Sequence, residues 1–293
     1  MNAHVSHATG TAGAAEPEQP APAIAEVTFT RALRAEWLKL LALRLNWWLC
    51  AAAVALLIVT LVATVFSTRF LMADASLTGG NAPQTGLSLF ENVFSTFTLV
   101  TLLMGALAAV AITTEHTSGS IRSSLAAVPN RTMFFFAKLL AVLGFIGALT
   151  AVLVVLSFVV LLPLSGFYDV LPELLGAEIW WLVLSSWAVV VITAAIGFGL
   201  GALLRSTAGA VVTYCLLLFS GPIALGLLLA VSGGAGWVTE LMRFEIFALQ
   251  RQFIAGSASM STDLPVPLAG LLLLVWAGAA VIPGWLVFRR RDA

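Results

Sequence analysis

The side chains that could do chemistry are concentrated in one stretch, Thr113 to Lys138, TTEHTSGSIRSSLAAVPNRTMFFFAK. It holds a carboxylate at Glu115, an imidazole at His116, several hydroxyls and the cations Arg122, Arg131 and Lys138. Nucleophilic catalysis needs a Ser or Cys beside a base that a third group orients. His116 is the sole histidine outside the N-terminal tail, and no such pair can be placed. His4 and His7 could bind a metal, but a solvated tail is the better reading of them. An intramembrane metalloprotease would need His or Glu ligands inside apolar segments, and those segments offer none. A phosphate-binding GxxxxGK[ST] loop is also missing, and the only lysines are Lys39 and Lys138. The sequence therefore carries no recognisable means of hydrolysing ATP. We expect no catalytic, cofactor-binding or metal-binding residue, and the chemistry left to the polar stretch is recognition.

The elements around it are apolar. Of the 293 residues, 60% are hydrophobic and 10% charged, with mean hydropathy +1.04. Soluble domains are about 25% charged, so this chain cannot cover a water-facing surface. The class is an all-α integral membrane protein. Cys50 and Cys215 both fall in apolar runs, where a small buried side chain explains them better than a disulfide.

Residues 1–25 lack any apolar run and read as a disordered cytoplasmic tail, not a cleavable signal. Residues 26–46 read as an amphipathic interface helix. Phe29, Leu33, Trp37, Leu40 and Leu41 recur at helical spacing, with Arg31, Arg34, Glu36, Lys39 and Arg44 around them. Such a helix lies along a membrane with its cations near anionic headgroups. Residues 47–290 form the transmembrane domain, with spans expected at 47–66, 93–113, 139–162, 179–204, 207–231 and 266–288. Each approaches or exceeds the ~20 residues that cross the hydrocarbon core. Pro163 is expected to stop the third.

Lys and Arg placement orients the bundle. With the N-terminus inside, eleven of the fourteen cations lie on the inner side, and only Arg69, Arg243 and Arg251 lie outside. The positive-inside rule then puts both termini in the cytoplasm and favours an even span count. Trp47, Trp48, Trp180, Trp181 and Trp285 sit near span ends, as an interfacial belt requires. The segment 237–253, WVTELMRFEIFALQRQF, fits a helix on or in the outer leaflet and also a surface loop.

No ionisable residue falls inside the spans as bounded above. Glu115 and Lys138 sit just past span ends, and Lys138 and Arg131 can snorkel to headgroups. The lack of buried charge argues against a proton- or sodium-coupled carrier, although carbonyls and hydroxyls can hold sodium. The polar stretch then lies in the cytoplasm between spans two and three. Ser118 and Gly119 break the helix, Ser120 caps a short helix from Ile121 to about Val128, and Pro129 and Asn130 end it. That helix is too short to be stable alone, so it must dock against something.

The run TEHTSGSIRSSLAAVPNRTMFFFAKLL resembles the region after the second span in permease subunits of type 2 ATP-binding-cassette transporters. ALRAEWLKLLALRLNWW is similar to that family's N-terminal interface helix, as in actinobacterial-type members. The resemblance spans about residues 29–290; Ser120 stands where Thr is frequent, and residues 232–265 match no firm motif. It implies that Glu115, Gly119, Ser120, Ile121, Arg122 and Leu125 couple the chain to a separate nucleotide-binding ATPase subunit, where ATP and Mg would reside. It assigns Arg34, Glu36, Trp37 and Lys39 to the interface helix. It further implies a dimer with a second permease copy or paralogue, and a path for export of a hydrophobic or amphipathic compound across the plasma membrane. A non-transporting anchor or scaffold that recruits a cytoplasmic protein also explains a docking helix and apolar spans.

Overall fold

The computed structural model describes residues 28–73, 97–117, 119, 128, 130–167, 176–256 and 264–290. These residues form helices and no strand: α1 (Phe29–Ala42), α2 (Arg44–Ala73), α3 (Phe97–Thr117), α4 (Arg131–Phe167), α5 (Ala177–Leu204), α6 (Thr207–Val231), α7 (Gly236–Met242), α8 (Ile246–Ala255) and α9 (Val266–Arg290). Six of them, α2 to α6 and α9, are long and apolar enough to cross a membrane. The tail 1–25 lies outside the described residues.

Span boundaries move outward from those expected. The second helix runs on to Thr117, so Glu115 and His116 are helical. The third begins at Arg131 and not at 139, so Lys138 lies two turns inside it. It also continues past Pro163 to Phe167. The reason is that MFFF before Lys138 is as apolar as the span itself, so only the single cation suggested a boundary there. Asn130 caps the start of this helix, its Oδ1 accepting from the Met133 N–H at 3.1 Å; residues 121–127 of the short helix expected before it lie outside the described residues.

Helix α5 is the hub, packed against α3 and α9 and more lightly against α4, α6 and α8. Its segment Gly197-Phe-Gly-Leu-Gly201 explains this. Residues four apart share a helix face. A Cβ on Gly201 would sit 2.8 Å from the Ala109 carbonyl oxygen of α3, and one on Gly197 would overlap the Gly105 backbone. On another face, a Cβ on Gly199 would sit 2.5 Å from the Ala280 carbonyl carbon of α9. Close backbone approach through small residues is the usual source of helix association where hydrophobic driving force is absent. Tyr214 of α6 fills the space over Gly105 and donates to the Thr101 carbonyl at 2.9 Å.

The segment 237–253 is not a plain loop. It forms α7 and α8, broken at Arg243–Glu245. Helix α8 buries Ile246, Leu249, Gln250 and Gln252 and leans on α9, α5 and α6. Trp181 and Trp276 hold it by donating to the Phe253 and Phe244 carbonyls at 3.0 and 3.2 Å.

Candidate functional site

Helix α1 buries the stripe Ala32, Glu36 and Leu40, one residue per turn, against α4. Glu36 and Lys39 are three apart and so share a face. Lys39 Nζ lies 2.6 Å from Glu36 Oε1. The same ammonium lies 3.2 Å from Glu115 Oε1 on α3. Lys138 of α4 closes the figure, with Nζ 2.8 Å from Glu115 Oε1 and 2.9 Å from Glu36 Oε2. The order Glu36–Lys39–Glu115–Lys138 alternates in sign around a closed ring. It uses both lysines of the protein. Glu36 and Lys138 side chains are each 5% exposed, Glu115 10% and Lys39 42%.

Each charge has two partners of opposite sign, which is the condition for holding charge away from water. Burial pushes the Glu36 carboxyl up, but Lys138 and Lys39 together hold it below the ordinary glutamate range. Burial likewise pulls the Lys39 ammonium down, and Glu36 with Glu115 outweighs it, so Lys39 ends above the ordinary lysine range.

Aromatic rings floor the ring of charges. Phe134, one turn before Lys138, has Lys39 Nζ at 5.8 Å and Lys138 Nζ at 5.9 Å from its centroid, within cation–π range. Phe134 stacks on Phe288 of α9 at 6.1 Å, and His116 meets the same Phe288 edge-on. Phe135 reaches Phe198 of α5 at 5.4 Å. Trp37 meets Phe145 edge-on at 6.2 Å and sits over Gly144, which leaves room for the indole. Asn46 of α2 donates to the Leu40 carbonyl at 2.8 Å and fixes the bend after α1. The charges thus tie α1 directly to the last turn of α3 and the second turn of α4. Those are the helices between which the polar stretch 118–130 is strung.

The arrangement joins three helices through alternating charges, and it holds no nucleophile–base pair. Among the described residues no group of three His, Cys, Asp or Glu could hold a metal ion. Of the residues singled out from sequence, Glu36, Lys39 and Glu115 meet in the ring. Trp37 packs beside it, and Arg34 is exposed on α1 away from it. Gly119 is exposed just past α3 in the left-handed region, φ 71°, where glycine is favoured as a helix stop. Ser120, Ile121, Arg122 and Leu125 lie outside the described residues.

Lys138 corrects two expectations. It does not reach for headgroups, and it lies within an apolar stretch long enough to span a membrane, Arg131–Val160. Two acids reach it there, so no route to water is needed. Lys39 similarly turns inward to Glu115 instead of outward. Sequence reasoning missed Lys138, Phe134 and Phe288 as site residues. The signal for the first was present: the only two lysines each have a glutamate available on a neighbouring element.

No curated protein matches the chain. A family model described as "ABC-2 family transporter protein" matches residues 32–221, about two thirds of the sequence. The match takes in α1, the ring and the polar stretch whose motif resembled that family, and the chain belongs to the ABC-2 family of transporter proteins.

Proposed function

We propose that this chain exports a hydrophobic or amphipathic compound across the plasma membrane, with both termini in the cytoplasm. Membership of the family supports a permease subunit of an ABC transporter, working with an ATPase partner. ATP and Mg are bound and hydrolysed on that separate subunit, and this chain is not itself an enzyme. It pairs with a second permease copy or a paralogue, and the compound passes between the two.

The observation that carries the reading is the ring. Residues 118–130 are the docking segment for the ATPase, and Glu115, Gly119, Ser120, Ile121, Arg122 and Leu125 are its coupling residues. Any displacement of that segment acts on α3 and α4 together. Because Glu36 and Lys39 share the charges of Glu115 and Lys138, α1 moves with them. A docking event can shift the transport equilibrium only through contacts that differ between its states. A rigid three-helix unit converts a local contact into such a difference. Outside the ring the spans are apolar, which suits a hydrophobic cargo better than a polar one.

The test is co-purification with a phosphate-loop ATPase and measurement of its activity in nanodiscs. Arg122→Gln lies on the docking segment and leaves the ring intact. It should abolish stimulation of the ATPase while membrane insertion is unchanged. An ATPase fully stimulated by the Arg122→Gln chain would defeat the coupling assignment. A partner that binds but moves nothing would return the scaffold reading.

A further inference from the structure

At the end of the bundle opposite the ring, α6, the α7–α8 break and α9 line an open pocket of about 310 Å³. That size is at the low end for small-molecule sites. Its walls are apolar: Leu217 and Leu225 from α6, Phe244 from the break, and Trp276 from α9. One ionisable group lines it, Glu245.

The two oxygens of Glu245 do different things. Oε2 accepts from the Ala248 N–H at 2.9 Å and caps α8. Oε1 is buried and has no hydrogen-bond partner among the described residues. It lies over Gly221, where a Cβ would come within 3.1 Å of it. The missing side chain at Gly221 is what gives the carboxylate its place against α6. A buried acceptor left without a partner is costly, and more so when charged. The same carboxylate in an apolar cavity is stabilised by a cation that brings its own apolar surface. Phe244 and Trp276 are aromatic lining residues, a type that attracts cations as well.

The geometry points to a binding site for a hydrophobic ammonium in this cavity: the cation on Glu245 Oε1, the apolar body against Leu217, Leu225, Phe244 and Trp276. The site takes an alkyl- or arylamine, and neutral or anionic analogues lack the pairing. Two sources share this chemistry, a free amphiphilic amine and the amine headgroup of a lipid. The inference rests on the exporter reading only in making the ligand a cargo. Binding is measured without an ATPase, so its failure leaves that reading untouched.

Protonation should gate the site. Burial pushes the Glu245 carboxyl above the ordinary range, and the Phe247 and Ala248 N–H groups only partly oppose this. Among the described residues, Glu245 is the charged group that lines the pocket. Helix α6 contributes only Tyr214 and Cys215, and α9 has no charged residue from Val266 to Phe288. Glu240 and Arg243 are paired with each other at 2.7 Å, and Arg251 of α8 is exposed. Amine binding should therefore weaken as pH falls through the raised pKa.

The experiment uses the full chain in phosphatidylcholine nanodiscs. Calorimetry follows 2-(1-naphthyl)ethylamine, with 2-(1-naphthyl)ethanol as the neutral comparison. The amine should bind saturably and at least ten-fold more tightly than the alcohol. Glu245→Gln, which keeps an oxygen for the cap, should remove that ten-fold preference. Ser220→Phe, which fills the cavity from α6, should weaken both ligands. Equal binding of amine and alcohol by the wild-type chain, or an unchanged preference in Glu245→Gln, overturns the proposal. Should Glu245→Gln fail to fold, the wild-type amine–alcohol comparison and Ser220→Phe still decide it. Repeating the titration with phosphatidylethanolamine in the disc separates the sources. Suppressed amine binding names the headgroup, and unsuppressed binding names a free amphiphile.

Discussion

Lys138 and Glu36 stand 102 positions apart in the chain, yet their charged atoms meet at 2.9 Å with both side chains 5% exposed. Each is also bound to a second partner, so neither can leave without stranding two opposite charges.

Removing one member of a buried ion pair costs about 3–5 kcal/mol, because the charge left behind has no water. Lys138→Met should therefore lower thermal stability in nanodiscs by an amount of that order. Lys39→Met removes a half-exposed charge and should cost about 0–1 kcal/mol. Equal losses in the two variants would mean the ring is not desolvated as the geometry indicates.

The ring also sets a pH window. Glu36 is depressed on folding, so its stabilisation is present above the ordinary glutamate pKa and is lost as pH falls through the lower folded value. Lys39 is raised, so its contribution is present below the ordinary lysine pKa and is lost as pH rises through the higher folded value. The ring's contribution to stability should be flat between mildly acid and mildly alkaline pH and fall at both extremes. In Glu36→Gln the acid limb should be shallower, which a thermal-shift series against pH would detect.

Backbone proximity around α5 can be probed one methyl at a time. Gly199→Ala places a Cβ 2.5 Å from the Ala280 backbone, which cannot rotate away. Overpacking of this kind costs about 1–3 kcal/mol. Gly226→Ala on α6 meets nothing within 4 Å and should be neutral or stabilising. Melting temperatures of the two variants that moved together would contradict the packing described.

Arg205 occupies the left-handed region, φ 55°, in the two-residue link between α5 and α6. That conformation costs a non-glycine residue about 1–2 kcal/mol. Arg205→Gly and Arg205→Ala lose the same guanidinium, so their difference isolates the backbone. The glycine variant should be more stable by about 1 kcal/mol. No difference would place the strain elsewhere.

How much of this was legible beforehand varies by element. The six apolar helices were plain from hydropathy, because a run of 20 or more apolar residues has few alternatives in water. The fifth span begins and ends where expected, and the others differ mainly where an apolar run continues past a charge or proline. The helix stop near Gly119 was readable from residue type. The pair α7 and α8 was half readable: its mixed pattern suggested a helix, but α8 packs into the bundle through Ile246 and Leu249. The glycine faces of α5 were readable in principle from the small-residue spacing of Gly197 and Gly201.

The sequence by itself determined that this chain is a helical membrane protein, that it has no phosphate loop, and that its polar residues gather between the second and third spans. Those follow from composition and local spacing, which need no partner. Only the tertiary structure decided where the charges go. Lys138 read alone is a cation at a span boundary, and Glu36 is one acid on a basic helix. Whether a charge seeks headgroups or another side chain depends on what lies within a few ångströms. Coulomb energy falls with distance in space, not along the chain. The cavity at Glu245 belongs to the same class, because an unpaired oxygen over Gly221 exists only once α6 and α8 have met.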